Sequence, residues 1–227
     1  MAKSPFHLAR SNIDFNYLSA MGIVMYFDLL TILLFGLIWI GIVTFLWLKK
    51  KKSVVYLIFF TIFYVYLFKV LDYTLFQFQS LLLLKHFMPD LILNGQTAGK
   101  NMNLIPLVSL TSQDLKTSLL NILLLVPFGF GLPFITNLRM NKIVVIGALF
   151  SIVIEFLQLV TGFMAKITFR IADINDVIFN TVGVVIGYIL FVGFVRIYRH
   201  ISHNGEISVN PILRYIDERP QINKQPR

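Results

Sequence analysis

Arg170, Asp173, Asp176 and Asn180 lie within eleven residues of one another. Their spacing puts Asp173, Asp176 and Asn180 on one face of any helix that begins there. A guanidinium beside two carboxylates suits two chemistries. The planar arginine grips a phosphate or carboxylate headgroup, whereas the carboxylates hold a divalent cation or serve as acid and base on a substrate. Asp173 and Asp176 also fit a third role, capping a helix start and complementing its dipole. A second pair, Glu155 and Gln158, sits three apart inside an apolar run, and Asn121 sits inside another. Ionisable groups in such runs face a bundle interior and mark either a functional site or a structural pairing, here Glu155 protonated or paired with Arg170. Asn103 and Pro106 belong to the segment Asn101-Met-Asn-Leu-Ile-Pro106 just before the run that holds Asn121.

Other chemistries are absent. With no cysteine, the chain has no disulfide framework, thiolate site or cysteine nucleophile. His7, His86, His200 and His203 have no metal-ligand spacing and read as surface residues. No nucleophile or histidine base accompanies the carboxylates. Cofactors are therefore expected to be none, with a divalent cation as the one alternative.

The elements that must position these residues are membrane spans. The chain is 57% hydrophobic and 14% charged, with a mean hydropathy of +0.77, against roughly a quarter charged in soluble domains. Apolar runs near twenty residues are long enough to cross a hydrocarbon core of roughly 30 Å. Five spans are expected, at 29–48, 54–71, 119–135, 143–160 and 177–195, giving an all-α polytopic transmembrane helix bundle. The third contains Pro127, Gly129, Gly131 and Pro133 and is expected to be kinked or broken. Residues 73–93 mix Phe and Leu with Lys85, His86 and Asp90, the pattern of an additional interfacial helix rather than a sixth span. The first long apolar run begins near residue 29 and lacks the features of a cleavable signal.

Alternation of five spans sorts the charges. One side, with Lys49 to Lys52, Arg139, Lys142 and the C-terminal stretch, carries 12 of the 20 Lys and Arg; the other carries eight of the 11 acids. Dense basic clusters beside span ends mark the cytoplasmic side. The expected organisation is a 1–28 N-terminal extracytoplasmic arm, a 29–195 transmembrane domain and a basic 196–227 cytoplasmic tail, flexible from His200 onward, in a multi-pass cell-membrane protein. Short juxtamembrane basic clusters suit topology and anionic lipid, and without a recognition module they do not suggest nucleic acid.

Alternation also puts Asn103, Pro106, Asn121, Glu155, Gln158, Arg170, Asp173, Asp176 and Asn180 at one end of the bundle, with Glu155 about 7.5 Å below the surface. They predict one outward-facing polar pocket. Gly147, Ser151, Glu155, Gln158 and Gly162 form a stripe on span four; Asp173, Asp176, Asn180, Gly183 and Gly187 form one on span five. The two spans are expected to pack through these stripes.

Asn-Leu-Ile-Pro at 103–106, Asn121 with Pro127-Phe-Gly129 and Pro133, Glu155-x-x-Gln158, and the run from Arg170 through Asp173, Asp176, Asn180 and Gly183 to Gly187 resemble the VanZ-like family of integral membrane proteins over residues 101–190. The resemblance implies a cell-envelope role in low-level resistance to teicoplanin, a lipid-bearing glycopeptide antibiotic. Partners expected on that basis are the bilayer and a lipid-linked cell-wall precursor or lipoglycopeptide. A binding protein is the favoured reading over a membrane-embedded, metal-dependent enzyme acting on a lipid-linked substrate. A transporter is less favoured because no inverted repeat is visible.

Overall fold

Leu, Ile, Val and Phe on every side of a helix leave no polar face for water, so such a helix is stable only in a core or in lipid. The computed structural model describes residues 29–75, 102–106, 112–165, 172–202 and 210–219. It contains five helices long and apolar enough to cross a membrane: α1 (Leu29–Leu48), α2 (Val54–Leu75), α3 (Ser112–Ile135), α4 (Met140–Ala165) and α5 (Ile174–Ser202). A short helix, α6 (Pro211–Asp217), follows, and β1 (Met102–Asn103) pairs in parallel with β2 (Ala172–Asp173). The architecture is an all-α bundle with this two-residue bridge. Most of residues 73–93, including the expected interfacial helix, lie outside the described residues.

α1 is peripheral. Its apolar side chains, such as Leu37 and Leu48, are exposed and face lipid, and it leans on α2 through Trp39 Nε1 donating to Thr61 (3.2 Å) and Tyr64 Oη donating to the Phe35 carbonyl (2.8 Å).

The core gathers around α3 and α5. Leu125, Phe128, Leu132, Ile143, Val184 and Tyr188 form one buried cluster with Phe63 of α2. Glycines set the helix spacing. A Cβ on Gly187 would stand 2.0 Å from the Val126 carbonyl oxygen, one on Gly183 2.2 Å from that of Ile122, and one on Gly129 2.0 Å from that of Val184. α3 and α5 thus touch backbone to backbone, a closeness only small residues permit. This corrects half of the expected pairing: α4 does meet α5 through its stripe, Gly147 against the Val184 side chain and Ser151 against Asn180, while the glycines of the α5 stripe seat α3 instead. A stripe of small residues shows where a backbone can approach, and Gly129 gives α3 the matching thin surface.

The expected break in the third span does not occur, because α3 remains helical through Pro127 and Pro133. Each proline removes one amide donor to the preceding turn. Beside the carbonyl that Pro127 leaves open, the Tyr66 hydroxyl donates to the Leu124 carbonyl at 2.7 Å, and packing against α5 supports the backbone on the other side.

The expected flexible tail is also partly folded. α5 continues to Ser202, and α6 docks beneath α2 and α3 with Tyr215 and Ile216 buried. Asn210 caps α6, accepting the Ile212 amide at 2.9 Å. The Tyr215 hydroxyl (2.6 Å) and Arg219 guanidinium (2.9 Å) both donate to the Phe134 carbonyl, one of the open acceptors at the end of α3. Burial pushes the Tyr215 phenol above its ordinary pKa and so keeps it a donor.

Candidate functional site

Three helices deliver polar side chains to the end of the bundle opposite α6. On α4 the stripe predicted from sequence is buried at Gly147, Ser151, Glu155 and Gln158. Ser151 lies deepest. Its hydroxyl accepts a hydrogen bond from Asn180 Nδ2 of α5 at 2.8 Å, just above the Gly147–Val184 contact that begins the apolar core. One turn higher, Glu155, only 8% exposed, accepts the backbone amide of Asp173 through Oε2 at 3.2 Å. Gln158, a turn higher again, donates to the Thr74 carbonyl of α2 at 3.0 Å.

The strand bridge closes over these groups. Register pairs Asn103 with Asp173, and their side chains repeat the pairing, Asn103 Nδ2 donating to Asp173 Oδ1 at 3.1 Å. The same oxygen accepts the Asn175 amide at 2.8 Å. Asp173 stands immediately before α5 and bonds the second amide of the helix, the geometry of an N-cap. Asp176 lies in the first turn, where an acid complements the helix dipole. Asn103 Oδ1 accepts the Ile105 amide at 3.3 Å, turning the chain away, so Pro106 is exposed and does not join the cluster.

Two buried asparagines each keep an open polar atom. Asn121 of α3 is 7% exposed and Asn180 is 2% exposed. Asn121 Nδ2, a donor, and Asn180 Oδ1, an acceptor, have no hydrogen-bond partner among the described residues. The contact of Gly183 with the Ile122 carbonyl places the two asparagines within one turn of each other along the α3–α5 interface. An unsatisfied buried polar atom costs roughly 1–3 kcal/mol, so a donor and an acceptor left open at one depth call for a polar group between them.

Arg170 lies outside the described residues. Asn103, Asn121, Glu155, Gln158, Asp173, Asp176 and Asn180 come to one end of the bundle. Thr74 and Ser118, both buried there, were not singled out from sequence. Ser118 stands one turn before Asn121, a spacing that could have flagged it. Thr74 gave no such signal, since its hydroxyl bonds the Val70 carbonyl four residues back (2.7 Å), as threonine commonly does in spans. Among the described residues, no group of three or more His, Asp or Glu side chains is placed to hold a metal. A hollow of about 310 Å³ at the Asn137–Lys142 turn and a groove of about 720 Å³ between α3 and α5 are lined by other residues.

The family described as VanZ/LLP1 matches residues 27–196. The match takes in α1 and α2 as well as the polar motifs of α3 to α5. No curated protein and no solved structure matches the chain.

Proposed function

Because the chain belongs to the VanZ/LLP1 family, we propose that this multi-pass membrane protein contributes to teicoplanin resistance by binding the polar part of an amphiphilic ligand in the cluster formed by α3, α4 and α5. The ligand is the lipid-bearing glycopeptide itself or a lipid-linked wall precursor. In this reading the cluster faces outward and the basic end lies in the cytoplasm, the orientation that the positive-inside rule favours. The observation that carries this reading is the open donor of Asn121 and open acceptor of Asn180, buried within one turn of each other. Such a pair complements a group that both accepts and donates, such as a carboxamide, and a lipid-bearing ligand keeps its chain in the bilayer while that group is offered to the outer end of the bundle. Glu155 and Asp173 support the mouth by tying α4 to the strand bridge.

Binding is favoured over turnover because Asp173 Oδ1 is already occupied by two N–H donors, those of Asn103 and Asn175. The test is equilibrium binding of teicoplanin and of vancomycin, which lacks the acyl chain, to the chain in lipid nanodiscs. Teicoplanin is expected to bind, and Asn121→Leu and Asn180→Ala are each expected to weaken it about tenfold or more while the thermal midpoint moves by only a few degrees. Equal weak binding of both drugs, unaffected by either substitution, contradicts the reading for the drug and leaves the wall precursor to be assayed the same way.

A further inference from the structure

The groove of about 720 Å³ runs along the lipid-facing side between α3 and α5, on residues other than those of the polar cluster. Its walls are apolar, formed by Pro127 and Phe130 of α3 and by Ile189, Gly193, Phe194 and Ile197 of α5. Its volume falls within the ~300–1,000 Å³ of ligand pockets. Gly193 makes the recess: a Cβ there would meet nothing within 4 Å.

A cation stands beside the groove on the same helix. Ile189, Gly193, Arg196 and His200 follow one another at steps of four, three and four and so share one stripe of α5. Arg196 and His200 are not part of the groove wall, but they continue the stripe of Ile189 and Gly193 toward the basic end, and both are exposed. Arg199 is bonded to Asp217, Arg214 to Glu218, and Arg219 to Phe134. Arg196 has no ion pair among the described residues.

We infer that the groove is a binding site for an anionic phospholipid of the leaflet at the basic end, with an acyl chain along Gly193 and the phosphate on Arg196. Charge decides between this occupant and a second copy of the chain. Two copies in the same membrane orientation would bring their basic ends and both Arg196 side chains together, whereas a phospholipid brings a negative charge to the arginine and fills the recess with hydrocarbon. The site does not depend on what the polar cluster binds.

Native mass spectrometry of the purified full-length chain, titrated with phosphatidylglycerol and with zwitterionic phosphatidylcholine, tests it. Phosphatidylglycerol should be retained about fivefold better. Arg196→Gln should lower it to the level of phosphatidylcholine, and Gly193→Leu, which puts side-chain atoms into the recess from a position where a Cβ meets nothing within 4 Å, should release both. Equal retention of the two lipids, or wild-type retention in either variant, overturns the site. A dimer mass that Gly193→Leu abolishes with lipid retention unchanged assigns the groove to a second copy instead.

Discussion

At the scale of single residues, the outcome of a substitution turns on what the new atoms meet. Gly187→Ala places a methyl group 2.0 Å from the Val126 carbonyl oxygen, a backbone atom that cannot swing aside. The helices must part, and a loss of about 1–3 kcal/mol is expected in the unfolding free energy measured in detergent. Gly36→Ala and Gly41→Ala meet nothing within 4 Å and should leave it unchanged or slightly raised. At Glu155 the chemistry can be divided. Glu155→Ala removes the acceptor of the Asp173 amide, while Glu155→Gln keeps a carbonyl oxygen there and removes the charge. If Glu155 acts by holding the strand bridge, the glutamine variant retains hydrogen-exchange protection at Asp173 and the alanine variant loses it. The polar residues were legible because each interrupts an apolar run at helical spacing. Which atoms they leave open was not legible, since Asn121 and Asn180 depend on the relative height of two helices, fixed by glycine contacts distant in sequence.

Among the elements, the spans were the most readable, because the bilayer imposes one solvent along the whole of each helix. Their ends were less so. α3 begins at Ser112 and α5 at Ile174, outside the apolar runs, since a helix continues into the headgroup region wherever its polar residues find water or caps. Of the kink or break that the prolines of α3 suggested, the helix excludes the break; sequence shows the lost donor but not the packing around it, such as Tyr66 of α2 on the neighbouring Leu124 carbonyl. α6 was missed because two buried residues in seven make a weak pattern, and its docking depends on Phe59 and Phe134, whose rings stack with centroids 4.7 Å apart. Tyr215→Phe removes one of two donors to the Phe134 carbonyl and should cost about 1 kcal/mol. Ending the chain at residue 209 removes both donors and exposes the Phe59–Phe134 stack. The thermal midpoint of the shortened chain should fall further than that of Tyr215→Phe; an unchanged midpoint would show that α6 does not brace the bundle.

For the whole molecule, polar and apolar work are separated along the membrane normal. One end is closed by stacked aromatic rings and the tail helix; the other holds buried amides, a buried glutamate and a strand bridge, with a glycine-spaced core between them. Membership of the VanZ/LLP1 family was legible from the motifs of the last three spans, and the match extends it to the first two. The central claim is that the polar end acts on the lipid-bearing glycopeptide or its target. Its most direct test is the susceptibility of host cells to teicoplanin and vancomycin, with the chain absent, present, or carrying Asn180→Ala or Glu155→Ala at matched membrane abundance. Selective protection against teicoplanin that both substitutions abolish is the predicted result; equal susceptibility in every strain would contradict it.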